Sequence, residues 1–582
     1  MRTINRKPLQ LFFVFYFFTG VLFAQSFEQV GNDIIGFNGS IGYFDKANGV
    51  SISDDGKTVA LGCFDCINPT DPNEVGNTSV YKWNGTSWVQ LGASIWGEFS
   101  SSFYENYSGY SIDLSSDGTV LAIGAPRHYA GNYPNDGYYG KVTIYEWNGS
   151  NWVMRGNPII GTDEEEQLGV SIELNYDGNI LVAGAYNNSV TGVQTGAARV
   201  YAWTGNSWIQ LGTDLYGANY DVFGIAVSIS SDGNRIAVGA GQYDPVGDLT
   251  EHYGVTRVYQ WSGSNWNQLG QNILGENVSD RASMVSLSGD GNSLIIGAYY
   301  NNNGGSVAGS SRIFIWNGTS WEQKGNSIDG DNSNDLSGYN VSISADGNTI
   351  ATSATKNSDN GTNTGKVRVY KWNGFVWFQQ GDDIDGVNAE EHLGNAIKLN
   401  NDGTKLVVGA NSSSSVGVVR VYSFCTAQKP TVSVISGNEL SCNTVSAESY
   451  QWLDCNNNYS IINFATNNNF IATSNGNYAV VVTDFGCKDT SDCVAISITG
   501  LEEIERYSIR FYPNPTEDIL TVHSSELIIE KLTLIEVNGQ VVTRQVVNDN
   551  TFILDISNVE TGVYYLYITT SEGDYTHKVV KN

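Results

Sequence analysis

The stretch Val341-Ser-Ile-Ser-Ala-Asp-Gly-Asn-Thr-Ile-Ala351 places an Asp-Gly pair between two short runs of alternating residues. The pair recurs at Asp55-Gly56, Asp117-Gly118, Asp177-Gly178, Asp232-Gly233, Asp290-Gly291, Asp346-Gly347 and Asp402-Gly403. Successive copies are 62, 60, 55, 58, 56 and 56 residues apart. Because glycine tolerates the positive φ of a tight hairpin turn, each copy predicts a β-hairpin. The regular period predicts a repeat architecture.

A second hairpin follows in each repeat, with its best copies at Val80–Trp88 and Val369–Trp377. Each repeat therefore holds four antiparallel strands, A to D, and we predict an all-β chain: a seven-bladed β-propeller followed by two small β-sandwich domains. The seventh repeat ends at strand C, Val419–Phe424, and lacks strand D. Phe27-Glu-Gln-Val-Gly31 matches the strand D sequence Trp88-Val-Gln-Leu-Gly92. We expect the N-terminal segment to supply the missing strand and close the ring.

The A and B half of the repeat resembles FG-GAP repeats, the units of integrin-α-type propellers, over roughly residues 40–424. The matching stretches include Gly109–Pro126 and Gly169–Ala185. The fifth repeat departs from the pattern, with Ala282 where the leading glycine is expected. The family's calcium loop, with several Asp or Asn residues around the glycine, is not matched either. We therefore predict no cofactor, and expect each Asp to organise its own turn.

Length, charge and the N-terminal segment indicate the number of domains and the kind of partners to expect. The 582 residues predict several domains, and 60 Asp and Glu against 30 Lys and Arg argue against nucleic acid or an anionic membrane surface as a partner. Residues 1–24 have the basic start and apolar core of a signal peptide, with cleavage expected between Ala24 and Gln25. No other stretch could span a bilayer. The predicted domains are a propeller at 25–425, a sandwich at 426–499, a linker at 500–508 and a second sandwich at 509–582.

Antiparallel alternation sorts the propeller loops onto two faces. The Asp-Gly and Asn-Gly turns fall on one face, and the B–C and D–A loops, which vary in length, fall on the other, here called the B–C face. Variable loops on a rigid scaffold commonly bind ligands. Exposed aromatic residues there could stack on a sugar or peptide, or simply pack against other loops. The candidate ligand-binding residues are Arg127, His128, Tyr129, Tyr133, Tyr138, Tyr139, Tyr243 and Tyr253.

Charged residues also recur at particular places. The D–A loops contain the acidic runs 163–166 and 390–391, which predict a solvated acidic rim, or alternatively a cation site. Strand C repeats a basic residue, in most copies two positions before an aromatic: Lys141, Arg199, Arg257, Arg312, Arg368 and Arg420. A fixed register favours a structural role, with each cation stacked on the aromatic and paired with an acid. A ring of anion-binding arginines is the alternative.

Cysteines suggest an oxidising environment. Cys63 and Cys66 predict a local disulfide in the first B–C loop, because the chain starts with a signal peptide. Residues 426–499 resemble small Ig-like or PKD-like modules of secreted Bacteroidetes-type proteins, on stretches such as Tyr450–Cys455 and Gly486–Cys493. The remaining cysteines number five, so one must stay free or pair outside the module: Cys425, Cys442, Cys455, Cys487 and Cys493. We single out Cys455, Cys487 and Cys493 as disulfide candidates.

Residues 509–582 closely resemble the type A C-terminal sorting domain of the type IX secretion system. The matching residues are Tyr512-Pro513-Asn514-Pro515, the Gly562-Val-Tyr564 triplet and the terminal Lys578-Val-Val-Lys581. The resemblance implies export through the type IX machinery, and release from the cell or attachment to surface lipopolysaccharide. We therefore expect a location outside the cell or on its outer surface.

The sequence contains no recognisable catalytic constellation. The five histidines are scattered, and the chain has no metal-ligand spacing, nucleophile elbow or P-loop. We therefore predict a non-enzymatic protein that binds a glycan or another protein, for adhesion or capture. A polysaccharide-acting hydrolase or lyase with its site on the B–C face is one alternative, and a structural surface component is another. An enzyme predicts converging carboxylates, or a Tyr-His-Arg group, at the central channel.

Overall fold

The computed structural model describes residues 27–35, 49–71, 74–98, 106–129, 137–245, 251–411, 417–425, 429–444, 447–484, 487–498 and 509–582. The elements are β-strands apart from one 3-10 helix, Cys455–Asn457, which confirms the all-β prediction. The proposed signal peptide, with Ala24 and Gln25, and the linker at 500–508 lie outside these residues. In the described part of the chain no helix is long and apolar enough to cross a membrane.

Seven antiparallel sheets, or blades, form the first domain, and strands A to D follow one another from the inside outward. Strands A are Val50–Ile52, Ser111–Leu114, Ile172–Leu174, Phe223–Ile229, Met284–Leu287, Ser337–Ile343 and Ala396–Leu399. Strands B are Thr58–Ile67, Val120–Ala125, Ile180–Ala185, Arg235–Ala240, Ser293–Ala298, Thr349–Ala354 and Lys405–Ala410. Strands C are Val75–Trp83, Lys141–Trp147, Ala197–Trp203, Val255–Trp261, Ser310–Trp316, Lys366–Trp372 and Val418–Phe424.

The outermost strand D is broken into two pieces in most blades. Its first pieces in blades 1 to 5 are Trp88–Gln90, Trp152–Met154, Trp208–Gln210, Trp266–Gln268 and Trp321–Gln323, and in blade 6 the strand is continuous as Trp377–Asp385. The second pieces in blades 1 to 5 are Ile95–Trp96, Ile159–Ile160, Leu215–Tyr216, Ile273–Leu274 and Ile328–Asp329. Blade 7 takes Phe27–Gln29 and Ile34–Ile35 from the N-terminal segment, which pair with Val418–Phe424. The predicted return of the N-terminal segment to the last blade is therefore confirmed.

The blades are joined in a ring around a central channel. Each strand A contacts the strands A of its two neighbours, including Val50–Ile52 against Ala396–Leu399. A series of backbone hydrogen bonds also circles the channel. Each donor N–H bonds to a backbone carbonyl of the next blade, and the donors are residues 54, 116, 176, 231, 289 and 345. The Asn400 side chain then donates to the Asp54 carbonyl at 2.8 Å, which completes the circle.

Each Asp-Gly turn is stabilised by its own side chains. In the first copy, Asp55 Oδ1 accepts hydrogen bonds from the Ser53 hydroxyl at 2.6 Å and the Lys57 N–H at 2.8 Å. The bond from the N–H two residues later occurs in all seven copies. Gly56 has φ of +70°, a conformation that other residues seldom adopt. The prediction that the aspartate organises its turn is confirmed.

Glycines also set the distance between blades. A Cβ on Gly124 of strand B would lie 2.2 Å from the carbonyl oxygen of Gly169, the leading glycine of the next blade. In blade 5 the corresponding carbonyl belongs to Ser283, which lies 1.9 Å from the Cβ position of Gly239. Our placement of Ala282 at the leading position was therefore wrong by one residue. In blade 5 the leading residue lies three positions before Ser286, whereas in blade 3 Gly169 lies four positions before the equivalent residue, Glu173. A count that uses the same spacing in every blade therefore arrives at Ala282 and not at Ser283.

Tryptophans fasten neighbouring blades at their outer edge. Each C–D hairpin of blades 1 to 6 holds two indoles with ring centroids 5.2–5.6 Å apart. The second indole donates to a backbone carbonyl of the preceding blade, as Trp88 Nε1 does to Val30 at 2.8 Å. This bond joins blade 1 to the N-terminal segment that completes blade 7, so it crosses the seam of the ring.

Two further pairs of sheets follow the propeller. In the middle domain the sheets are Val432–Ser436, Glu439–Cys442 and Asn469–Ile471, and Ser449–Asp454, Ser460–Ile461, Gly476–Asp484, Cys487–Thr490 and Val494–Ile496. In the C-terminal domain they are Ile509–Tyr512, Ile519–Ser524 and Thr551–Asp555, and Ile529–Glu536, Val541–Asp549, Gly562–Thr570 and Gly573–Lys581. Trp452 is fully buried in the middle core, where it stacks on Phe470.

Disulfides link Cys63 to Cys66, Cys425 to Cys487 and Cys455 to Cys493. The second bond ties the end of the propeller to the middle domain, and the third lies within the middle domain. Cys442 is buried in the middle core and is in no disulfide. The odd number of cysteines is thus resolved in both ways that were expected, by a free thiol and by a bond leaving the module.

Candidate functional site

An aromatic surface lies on the B–C face where blades 1, 2 and 3 meet. The Arg127 guanidinium carbon lies 4.1 Å from the ring centroid of Tyr107 and 5.5 Å from that of Tyr138. Arg127 Nη1 also donates a hydrogen bond of 2.8 Å to the Tyr107 hydroxyl. Phe64 of blade 1 packs under this group, 4.7 Å from Tyr107 and 5.4 Å from Tyr110 between centroids. Stacking and this hydrogen bond fix the guanidinium in place.

Blade 3 extends this surface through Tyr186, which packs against the buried group formed by Phe64, Tyr110 and Val170. The Tyr186 hydroxyl donates to Gln167 at 3.2 Å. Burial raises the pKa of Tyr186 above its usual range, so the phenol stays protonated near neutral pH. We call Phe64, Tyr107, Tyr110, Arg127, Tyr138 and Tyr186 the central aromatic cluster. Phe64 and Tyr110 are buried, whereas the half-buried rings of Tyr107, Tyr138 and Tyr186 lie around the fixed cation and can contact a sugar or a peptide.

The structure brings some of the sequence-predicted residues together. Tyr129 and Tyr138 face each other across the 126–139 loop, with ring centroids 4.8 Å apart, while Tyr133 lies outside the described residues. His128 is largely buried, and burial, together with the nearby Lys141 cation, lowers its pKa to about 4. The Tyr139 side chain is half-buried.

In the B–C loop at 242–253, the described residues lie near another arginine. Tyr243 is 5.5 Å from the guanidinium carbon of Arg257 in blade 4, and Tyr253 is half-buried at the end of the same loop. The ligand-binding role of all these residues stays a prediction. Sequence reasoning missed Phe64, Tyr107, Tyr110 and Tyr186. Their position in the repeat could have indicated two of these residues, because Tyr110 directly follows the leading glycine of its blade and Tyr186 directly follows strand B.

The strand C cations pair with acids of the D–A loops. Arg199 donates to Glu166 at 2.7 and 2.8 Å and to Asp214 at 2.7 Å, and Arg420 pairs with Glu391. Burial lowers the pKa of Arg199, but hydrogen bonds and the charge of Glu166 outweigh it, so the net shift is upward. Arg257 and Arg312 also stack on Phe223 and Phe314. The predicted pairing of these cations with acids is confirmed. The predicted stacking on the aromatic two positions later is found for Arg312 with Phe314, whereas Arg257 lies over Phe223 of strand A.

The prediction of a solvated acidic rim was wrong for two of its residues. Glu166 is 0% exposed and Glu391 is 2% exposed, because the D–A loops fold over them. Each also accepts hydrogen bonds from its own loop, as Glu166 does from the Thr162 N–H at 2.7 Å. Related blades use Asp221, Asp280 and Asp335 in the same way. These acids close the loops, and Glu166, Asp221 and Glu391 also pair with arginines of strand C.

A second group of charges lies in the central channel, where Asp113, Glu173 and Lys398 converge. Lys398 bonds to Glu173, and its nitrogen is 3.7 Å from Asp113. Burial raises the pKa of Asp113 to about 6, against the opposing effect of Lys398. The cavity beside them holds about 70 Å³. This is room for a few water molecules at roughly 30 Å³ each, and too little for a sugar ring.

The channel charges also join blades. Asp113 accepts from the Leu174 N–H at 2.9 Å, and Glu173 accepts from the Ile229 N–H at 2.9 Å, each in the following blade. Serines make the same bond at other junctions, as Ser228 does with the Leu287 N–H. The two carboxylates thus occupy positions where a serine serves elsewhere. Their first role is to hold the ring together.

The C-terminal domain uses its motif residues for internal contacts. Asn514 donates to the Lys578 carbonyl at 2.7 Å and accepts from the Val580 N–H at 2.9 Å, so the Tyr512–Pro515 segment is fixed to the last strand. The Tyr564 hydroxyl donates to the Glu560 carbonyl. Lys581 is buried and pairs with Asp518 at 3.1 Å, whereas Lys578 is exposed. Gly562 pairs with Lys581 in the sheet, and Pro513 and Pro515 are exposed.

Residues 510–582 match the family model described as the secretion system C-terminal sorting domain. The protein is therefore an exported all-β protein, directed by the type IX system to the cell surface or the extracellular space. None of the curated proteins matches the sequence.

Two solved structures are similar to parts of the chain. Hydrazine synthase of Kuenenia stuttgartiensis has 12% identity and a TM-score of 0.41, covering 65% of this chain and 96% of that one. A putative 6-phosphogluconolactonase from Bacteroides uniformis also has 12% identity, with a TM-score of 0.39, covering 58% and 86%.

Proposed function

We propose that the protein is an exported binding protein whose central aromatic cluster holds a glycan or protein ligand, for adhesion or capture. The observation that carries this proposal is the fixed arginine among half-buried rings, on the face that carries the variable loops. Arg127 and Tyr186 come from different blades, so a ligand seated there would span a rigid junction. Rigid aromatic and arginine anchors contribute much of the affinity in protein recognition.

We infer that the propeller repeats are of the FG-GAP type and that the middle domain is an Ig-like or PKD-like spacer. Close glycine contacts between blades, such as Gly124 with Gly169, support the first assignment. The Asp-Gly turns lack the family's calcium loop, and their aspartates accept bonds from their own turns, so we propose turn stabilisation rather than calcium binding. Retention on surface lipopolysaccharide is the partner interaction that the sorting domain suggests.

A polysaccharide-acting enzyme is the second candidate, because Asp113 and Glu173 bring two carboxylates together in the channel. Paired carboxylates are the groups that glycoside hydrolysis requires. The adjoining cavity of about 70 Å³ weighs against substrate access to them. We therefore rank binding first.

The test is a glycan array and an array of extracellular proteins, probed with the full chain and two variants. Arg127→Ala removes the cation, and Tyr107→Phe removes only the hydroxyl that orients it. We expect Arg127→Ala to weaken binding about tenfold, since an anchoring contact contributes roughly 1–2 kcal/mol, and Tyr107→Phe to weaken it less. Ser150→Ala, on the opposite turn face, is the matched control.

Three outcomes contradict the proposal. Binding that Arg127→Ala leaves unchanged moves the ligand site elsewhere. Cleaved products from a bound polysaccharide favour the enzyme. Absence of binding on both arrays favours a structural surface component.

A further inference from the structure

The C–D hairpin of blade 6 differs from the hairpins of the other blades. Its turn is Asn373-Gly-Phe-Val-Trp377, whereas the two residues before the second tryptophan are Ser, Thr or Asn in blades 1 to 5. Phe375 is 86% exposed and Val376 is 51% exposed. The turn does not need them, because Asn373 Oδ1 accepts from both of their N–H groups just as Asn317 does from Thr319 and Ser320. Exposed apolar residues without a folding role indicate contact with something else.

A cavity opens beside this hairpin, between blades 5 and 6. Its volume is about 480 Å³, within the range of roughly 300–1,000 Å³ typical of small-ligand pockets. Val376, Trp377 and Tyr370 form its apolar side, and the polar side comes from both blades: Asn326, Ser327, Asp329, Asp331, Arg368, Gln379 and Asp383. We call it the blade-6 pocket. It lies along strand D, on the lateral surface of the ring.

The polar side of the pocket holds more acids than cations. Arg368 donates to Asp331 and to Asp383, and Lys366 pairs with Asp383 and Asp359. Three lining acids, Asp329, Asp331 and Asp383, lie against one lining cation, Arg368. The excess of carboxylates argues against an anionic ligand, and it leaves acceptor oxygens for the hydroxyl groups of an uncharged one.

We infer that the blade-6 pocket binds a neutral pyranose sugar, as a site separate from the central aromatic cluster. The edge formed by Tyr370, Val376 and Trp377 fits the C–H face of a sugar ring, and amides, carboxylates and a guanidinium fit its hydroxyls. The lining is too polar for an apolar peptide side chain. The lateral opening also leaves room for the remainder of an oligosaccharide.

The experiment is saturation-transfer NMR on the full chain with maltose, cellobiose, xylobiose, chitobiose and lactose. We expect transfer to at least one of the five. Phe375→Thr with Val376→Ser should weaken it at least fivefold, and these are the residues that blade 5 uses, so the variant keeps the turn. Asp329→Asn should weaken it similarly, because the amide presents a different hydrogen-bonding edge. Thr319→Ala with Ser320→Ala, in blade 5, is the matched control and should leave transfer unchanged.

Lack of transfer to all five sugars overturns the inference, as does transfer that the blade-6 double variant leaves intact. Sedimentation gives the competing outcome. A dimer that dissociates in the double variant would assign the pocket to a second copy of this chain. Arg127→Ala serves as an independent arm, since it should weaken binding at the central aromatic cluster about tenfold and leave the sugar signal in place. The proposals for the blade-6 pocket and for the central aromatic cluster can therefore be refuted independently.

Discussion

On the turn face, Asp346 accepts hydrogen bonds from Ser344 and Asn348, both two residues away, whereas on the B–C face Glu166 pairs with Arg199, 33 residues away. The first arrangement is complete within one turn, and its bond from the N–H two residues later repeats in every blade. The second requires two elements to fold onto each other, and its acid changes from Glu166 with Arg199 to Asp221 with Arg257. Local networks keep the scaffold uniform, and distant pairs let individual loops differ.

The largest effect should come from breaking a distant pair. We expect Arg199→Met to lower the free energy of unfolding by about 3–5 kcal/mol, because Glu166 would be left buried without its cation. Urea unfolding of the full chain, followed by tryptophan fluorescence, measures it. Replacing both partners, as Arg199→Met with Glu166→Leu, should recover most of the loss. Arg368→Met, at a more exposed pair, should cost about 1 kcal/mol or less. Equal losses at Arg199 and Arg368 would show that burial does not govern these pairs.

A third type of aspartate lies in the channel, where the contribution of Asp113 to the free energy of unfolding depends on pH. The folded pKa of Asp113, about 6, lies above the ordinary aspartate value of 3.8, so the folded state holds this proton more tightly. The resulting stabilisation is full below pH 3.8 and is lost as pH rises through 6, a change of roughly 2–3 kcal/mol. Asp113→Asn lacks this titration. The difference in unfolding free energy, wild type minus variant, should therefore fall between pH 4 and pH 7. A flat difference would contradict the assignment.

A smaller effect is expected at the turn face. Asp346→Ala removes the acceptor for Ser344 and Asn348 and should cost about 1–2 kcal/mol. Asp346→Asn keeps an acceptor oxygen and should cost less than about 0.5 kcal/mol. Thermal unfolding monitored by circular dichroism gives both values. If the two variants cost the same, the charge of Asp346 matters more than its hydrogen bonds.

The smallest effect on the free energy of unfolding is expected at the C–D hairpin of blade 6, which has apolar residues where the other hairpins have polar ones. Phe375→Thr with Val376→Ser should change the free energy of unfolding by less than about 0.5 kcal/mol, since both side chains are exposed and Asn373 holds the turn. The same urea series measures it. A loss above 1 kcal/mol would mean that the two side chains support the fold rather than a ligand site.

The sequence was sufficient wherever the physical cause is local. The Asp-Gly hairpins, the four-strand repeat and the N-terminal strand of blade 7 all follow from short patterns with fixed spacing. The burial of Glu166 was not predictable, because an acidic run gives no sign of the loop that covers it. Ala282 was misplaced because blade 5 is one residue shorter before its inner strand. The central aromatic cluster draws Phe64, Tyr110 and Tyr186 from three blades, so only the closed ring brings them together.

The seam at blade 7 constrains the order in which the ring forms. Asp33 and Arg420 are bonded at 3.1 Å, yet they are 387 residues apart in the chain. Synthesis from the N-terminus produces Phe27–Gln29 first and its partner strand only after the six other blades. Until then the growing protein is an open arc with an unpaired edge at each end. Completion is therefore a single late event that depends on the whole repeat array, and a chain interrupted before residue 418 lacks the strand with which Phe27–Gln29 pairs.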